Sequence, residues 1–275
     1  MMFHYINPRL ASQDAVEVVV VGAGGTGSQV VTALAQMQHA LVALGHAGLN
    51  VLVVDDDIVS EANIGRQWFF PGDVGQYKAS VLVQRVNLTM GTNWQSEPSK
   101  LTASCRLRAP LVIGCVDTRV ARFNIMRAME EGRGGRGYYL DFGNRQYTGQ
   151  VVLGEVTNAR RRTNPHDKLP HVGELFPEVM DPDVVDPDEG PSCSLAEALR
   201  KQSLFINRTL VAHGMAMLWE LFHVGRLEHH GVFVNLKSGR TTSLAVDAEV
   251  WKAMGYGRVK TRIRRRGRTP EAVVA

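Results

Sequence analysis

Cysteine is scarce. The chain holds three, Cys105, Cys115 and Cys193, and no C-x-x-C pair. Three thiols cannot build a disulfide framework, and reduced cysteines suit a cytoplasmic compartment. They also cannot supply the four thiolates of an all-cysteine zinc site, and with no C-x-x-C pair no structural zinc is expected. Long apolar runs are missing too. The most apolar stretch, residues 204–224, is interrupted by Asn207, Arg208, Thr209, His213 and Glu220, which argues against a membrane span. The opening MMFHYINPRL lacks a basic stretch followed by an apolar one, so no secretory signal is expected. There is no internal repeat and no G-x-x-x-x-G-K-[ST] loop, which argues against a P-loop ATPase.

What is present is ordinary globular material: 275 residues, 44% hydrophobic and 21% charged, ample for a sizeable core. The net charge of +4 is unevenly spread. Residues 258–268 carry seven Lys and Arg and no acid, which leaves the rest of the chain mildly acidic. A solvated terminus is the favoured reading of this basic tail. Nucleic-acid binding is the alternative, weakened because no aromatic residue interleaves with Arg262 to Arg268.

Hydrophobic patterning predicts alternating strands and helices. Val16–Val21 reads as a buried parallel strand, residues 28–44 as a helix, and Asn50–Val54 as a second strand. Helix over 78–88, strand over 110–116 and helix over 119–130 follow. Strands at 138–141 and 150–156 flank a turn containing Gly143 and Gly149. Residues 160–192 hold six of the 11 prolines and an acidic run, and read as a mobile loop. One or two helices over 194–224 and a hairpin over 231–246 close the pattern. The fold class expected is α/β: a Rossmann-like doubly wound, mainly parallel sheet with a C-terminal antiparallel extension.

The first strand runs into Gly22-Ala23-Gly24-Gly25-Thr26-Gly27, a G-x-G-x-x-G turn that opens a helix. In that context its amides and the helix N-terminus can bind nucleotide phosphates. Asp55 ends the second strand, where a carboxylate can hold ribose hydroxyls. It lies 28 residues past Gly27 against about 20 in the dinucleotide fingerprint. The glycines alone leave an NAD-dependent oxidoreductase open.

The residues that follow discriminate. The run VVDDDIVSEANIGRQ supplies Asp55, Asp57, Asn63 and Arg66; Gly75-Gln76-Tyr77-Lys78 opens the next helix; Gly114-Cys115-Val116-Asp117 comes later. This ordered set resembles the ThiF-type family, the prokaryotic relatives of ubiquitin-activating enzymes, from Val18 to about Val156 and again near Cys193. PSCSLAEAL, LFIN and LWELF resemble a narrower branch, the ThiF-type proteins of plasmid-associated PRTRC systems. Such gene clusters also encode a ubiquitin-like protein and a conjugating-enzyme-like protein, the partners this implies.

The resemblance implies adenylation of a ubiquitin-like protein's C-terminal carboxylate, with ATP and Mg²⁺ as cofactors and a homodimer as the assembly. Residues 1–257 would form one adenylation domain, its nucleotide-binding half about 15–140 and its modifier-binding half about 141–257. Gly22, Gly24, Gly25 and Gly27 would admit phosphates, Asp55 the ribose, and Asn63 the ribose or phosphates. Arg66 and Lys78 would supply charge, Asp57 would orient its neighbours, and Asp117 would ligate Mg²⁺. Cys193, at a predicted helix start, would receive the activated modifier.

The structural alternatives are a polar strand end for Asp55–Asp57, a helix N-cap for Asp117, and a small buried side chain for Cys193. Cys115 reads as core; Cys105 stays open. Arg9 is the nearest candidate for an arginine donated to a partner subunit's site, although little chain separates it from Val18. His229 and His230 read as solvated. A non-enzymatic nucleotide-binding or DNA-associated adaptor remains a third class beside adenylation and hydride transfer.

Overall fold

The computed structural model describes residues 2–132, 136–157, 168–184, 186 and 202–257. In chain order the elements are β1 (His4–Tyr5), β2 (Val16–Val21), α1 (Gly27–Ala43), β3 (Leu49–Val54), α2 (Lys78–Met90), β4 (Gln95–Glu97), β5 (Leu111–Gly114), α3 (Arg119–Glu131), β6 (Gly137–Asn144), β7 (Thr148–Val156), α4 (Val172–Leu175), α5 (Ile206–Val224), β8 (Arg226–Leu227), β9 (His229–Asn235), β10 (Arg240–Ala245) and α6 (Ala248–Ala253).

Eight strands form one sheet in the order β10-β9-β7-β6-β5-β2-β3-β4. The five from β6 to β4 are parallel; β7, β9 and β10 extend the sheet antiparallel. This is the doubly wound α/β fold with an antiparallel C-terminal extension. β5 is buried throughout and β2 and β3 nearly so, which explains their runs of Val, Ile and Leu; β4 is the exposed edge. α1 packs with α2 and α5 on one face; α3 and a helical turn at Pro177–Met180 cover the other. The chain leaves β2 for β3 on one side and returns to β5 on the other. The resulting switch point between β2 and β5 opens a crevice at the carboxyl ends of the strands.

Several sequence expectations need adjustment. Gly143 and Gly149 lie within β6 and β7, not in the turn, which occupies residues 145–147. A Cβ on Gly149 would meet the Leu210 side chain at 2.5 Å, so close packing, not chain reversal, accounts for that glycine. The short strands β1, β4 and β8 carry too few apolar residues to register as a pattern. Within the predicted 160–192 loop, α4 and the 177–180 turn bury Val172, Leu175 and Met180. That segment lies so close to β7 that a Cβ on Gly154 would meet the His171 backbone. The basic tail and the predicted helix start at 194–201 lie outside the described residues. Among the described residues, no helix is long and apolar enough to cross a membrane.

His230 is a correction. It is fully buried, not solvated. Its Nδ1 lies 2.7 Å from the Leu153 carbonyl oxygen, and its Nε2 accepts from Trp251 Nε1 at 2.8 Å. Both partners arrive from distant sequence, so a local reading of two adjacent histidines misses them.

Burial holds His4, His171 and His230 at about 4, below the ordinary 6.5. Between these values the unfolded chain binds more protons than the native one, so stability rises with pH across that window. It is complete above 6.5 and is lost as pH falls toward 4. Melting temperature measured from pH 7 to pH 4 should fall steadily below 6.5; a flat profile would contradict the buried, neutral state of these rings.

Candidate active site

The glycine loop sits at the carboxyl end of β2, in the crevice. Gly22 has φ +95°, and a Cβ there would lie 2.7 Å from the Cys115 carbonyl oxygen, so the loop after β2 presses against the end of β5. A Cβ on Gly27 would overlap the Gly22 carbonyl, which closes the turn into α1. Gly24 instead faces open space. The backbone amides of Gly24, Gly25 and Thr26 have no acceptor among the described residues. These amides and the N-terminus of the 17-residue α1 suit an anion.

Asp55 closes the loop from the side. Its Oδ2 accepts from the Ala23 amide at 2.5 Å and its Oδ1 from the Asp57 amide at 2.9 Å. Burial raises its pKa, opposed by those two amides and by Lys78. The second lone pairs on these oxygens remain chemically suited to a ribose hydroxyl. Asp57 Oδ2 accepts from Lys78 Nζ at 2.7 Å, and the Lys78 amide donates to the Asp57 carbonyl at 2.9 Å. Lys78 is the first residue of α2 and only 7% exposed, so its ammonium is fixed where α2 meets the end of β3. Asp57 therefore orients Lys78 as a direct partner.

Asn63 and Arg66 come from the β3–α2 connection. Asn63 Oδ1 accepts from the Ser60 amide and hydroxyl, which leaves its Nδ2 as the donor. Arg66 is half-buried, and burial lowers its pKa. Its Nη1 donates to Gln202 Oε1 at 2.9 Å, while its buried Nε has no acceptor among the described residues. A Cβ on Gly25 would lie 3.9 Å from Arg66 Nη1, which places this cation against the glycine loop. An orphaned guanidinium N–H beside acceptor-free amides fits the phosphates of a nucleotide.

Asp117 follows β5 with its side chain exposed. It is not the cap of α3: Thr118 takes that place, its hydroxyl accepting from the Ala121 amide at 3.2 Å. Among the described residues no three His, Cys, Asp or Glu side chains converge on a metal position. One exposed carboxylate at a phosphate-suited crevice fits a largely hydrated Mg²⁺ shared with phosphate oxygens. Cys115 packs against the core, and burial, then the Asp141 and Asp55 carboxylates, pushes its thiol far above the ordinary range. A thiol so held is no nucleophile. Cys105 lies in a turn with Thr102, whose amide-level and hydroxyl hydrogen bonds lower its pKa. Cys193 lies outside the described residues.

Arg9 stands apart from this group. Its Nη1 donates to the Arg136 carbonyl at 3.1 Å and its Nη2 to the Arg108 carbonyl at 2.6 Å. Those carbonyls precede β6 and β5, at the opposite end of the parallel strands from the glycine loop.

Two supports escaped the sequence reading. Arg122 Nε donates to Asp141 Oδ1 at 3.0 Å, and Arg122 Nη1 to the Asp117 carbonyl at 3.2 Å. Its Nη2 donates to the Phe142 carbonyl at 2.9 Å, and Tyr139 OH to Asp141 Oδ1 at 2.8 Å. This buried pair ties the Asp117 turn to β6. The spacing of Arg122 one helical turn past Thr118 was the available signal. The second support joins Asn144, Gln202 and Asn207, three neutral polar residues without a motif.

Because Asp141 is fully buried, removing Arg122 leaves a charge without its partner. Arg122→Met should destabilise the protein by about 3–5 kcal/mol in denaturant unfolding. A loss below about 1 kcal/mol, the range of exposed pairs, would contradict that role.

Comparison with known proteins places this geometry. The ThiF family model matches residues 8–151. No protein of curated function matches in sequence. Among solved structures, PaaA aligns with a TM-score of 0.55 at 14% identity, over 86% of this chain and 65% of that one. E. coli MccB determined with ATP aligns at 0.52 and 14% identity, over 86% and 65%. E. coli MccB with MccA-N7isoASN aligns at 0.53 and 14%, over 86% and 66%. The chain thus spans about two thirds of the length of these structures, and the likeness is one of fold. With more than half of its residues matched by the family model, the chain belongs to the ThiF family.

Proposed function

We propose that this protein uses ATP to adenylate the C-terminal carboxylate of a small ubiquitin-like protein. One observation carries the reading: acceptor-free loop amides and Arg66 meet at the end of β2, with Lys78 at the neighbouring end of β3 and the exposed Asp117 after β5. An anion attacking a polyanion needs cations placed at the phosphates, which this cluster supplies. MccB, which shares the fold, has been determined both with ATP and with MccA-N7isoASN.

In this scheme a modifier carboxylate oxygen attacks the α-phosphorus of ATP. The bond from that phosphorus to the α,β-bridging oxygen breaks, and pyrophosphate leaves. Gly24, Gly25 and Thr26 bind phosphate oxygens through backbone amides, and Gly22 and Gly27 keep the turn tight enough to present them. Asp55 holds the ribose, and the Asn63 amide donates to ribose or phosphate. Arg66 and Lys78 neutralise charge, Lys78 held by Asp57. Asp117 would hold Mg²⁺, which supplies further neutralisation of the phosphate charge.

Transfer to sulfur extends the same reading. The Cys193 thiolate would attack the acyl carbonyl, form a thioester and release AMP. The partner class we favour follows the PRTRC-like branch: a ubiquitin-like protein, then a conjugating-enzyme-like protein. The assembly proposed is a homodimer; exposed Ile58, Trp68, Phe70, Val74 and Tyr77 offer apolar surface beside the site for it.

The test is ATP–pyrophosphate exchange with a ubiquitin-like protein from such a gene cluster. Exchange should require the modifier's free C-terminal carboxylate. Asp117→Ala and Arg66→Ala should each lower it by about 10²-fold or more, the cost of removing a charge-stabilising group. Exchange that persists with the C-terminus blocked, or that survives both substitutions, would refute the proposal.

A further inference from the structure

Arg66 is held by a neutral network that reaches from the far end of the chain. Gln202 Oε1 accepts from Arg66 Nη1 at 2.9 Å and from Asn207 Nδ2 at 3.2 Å. Asn207 Oδ1 in turn accepts from Thr26 Oγ1 at 3.3 Å and from Asn144 Nδ2 at 2.8 Å. Asn207 is 3% exposed and stands in the first turn of α5; Asn144 ends β6. A Cβ on Gly25 would lie 2.4 Å from Asn207 Nδ2, so the glycine loop and α5 meet directly. One amide side chain therefore ties together the loop, the end of β6 and, through Gln202, the guanidinium.

The neutrality of this network matters. Lys78 is paired with the carboxylate of Asp57, which offsets its charge. Arg66 has an amide oxygen instead, and no carboxylate pairs with it among the described residues. Its orientation is fixed at Nη1 while its full positive charge stays available, and its buried Nε lacks an acceptor. A Glu at 202 would fix the same nitrogen but cancel the charge.

We infer that Gln202 and Asn207 are positioning residues that aim Arg66 and the Gly25–Thr26 turn at the nucleotide's phosphates. This rests on the adenylation reading and adds to it the C-terminal half's contribution to the phosphate site. The inference separates phosphate recognition from nucleoside recognition, because the network does not touch Asp55, the residue assigned to the ribose.

Calorimetric titration with ATP and with adenosine tests it on wild type, Gln202→Met, Asn207→Leu, Arg66→Ala and the Gln202→Met/Arg66→Ala double variant. Gln202→Met and Asn207→Leu should each weaken ATP binding about tenfold, the worth of a hydrogen bond to a charged group, and leave adenosine binding unchanged. In the Arg66→Ala background, Gln202→Met should change ATP affinity by less than about twofold, because its effect passes through Arg66. A purely structural role would weaken adenosine and ATP alike. That result, full additivity in the double variant, or unaltered ATP affinity in both single variants would overturn the assignment while leaving the adenylation reading standing. A wild type that binds no ATP would overturn both.

Discussion

The parallel pairing of β2 with β3 on one side and β5 on the other is the constraint on which the site depends. Val18 hydrogen-bonds in register beside Val51 and Leu111, and each strand then ends at the same edge of the sheet. The loops after β2, β3 and β5 are thereby delivered to one crevice. They bring the glycine turn, Asp55 and Asp117, residues separated by up to about a third of the chain. None of these loops could be placed by local propensity. They are placed because apolar strands, buried on both faces, have one way to stack under right-handed crossovers.

Charge in the crevice is arranged by partners of different kinds. Lys78 is fixed by a carboxylate, Arg66 by an amide oxygen, and Asp55 by backbone amides. Each arrangement trades strength of restraint against the charge left for a ligand. An ion pair restrains firmly and cancels charge; a neutral acceptor restrains more weakly and preserves it. A site for a polyanion gains from having both, with a metal-suited carboxylate at its mouth. Arg122 performs the same service for the Asp117 turn from within the core, at the cost of burying its own ion pair.

The elements that sequence made legible are those governed by local chemistry. A run of Val ending in glycine identifies β2, and the glycines predict the turn that follows. Asp, Asn, Arg and Lys at family spacing mark the candidate site residues. What stayed hidden depends on contacts across the fold. His230 looks like a surface histidine until Leu153 and Trp251 close on it. Asn207 is one polar residue at the start of an apolar helix until β6 and the glycine loop meet it. Gly149 looks like a turn former, yet Leu210 is what excludes a side chain there. Arg9, the nearest arginine by sequence position but with little reach, bonds its own chain's carbonyls at the opposite end of the parallel strands.

The central claim is that a carboxylate oxygen attacks the α-phosphorus of ATP in this crevice. The most direct test is isotopic: a ubiquitin-like substrate whose C-terminal carboxylate carries ¹⁸O, incubated with ATP and a thiol nucleophile. Attack through the carboxylate, followed by cleavage at the carbonyl, predicts AMP bearing one ¹⁸O atom and equimolar pyrophosphate. Unlabelled AMP, or ADP and phosphate in place of AMP and pyrophosphate, would contradict the account.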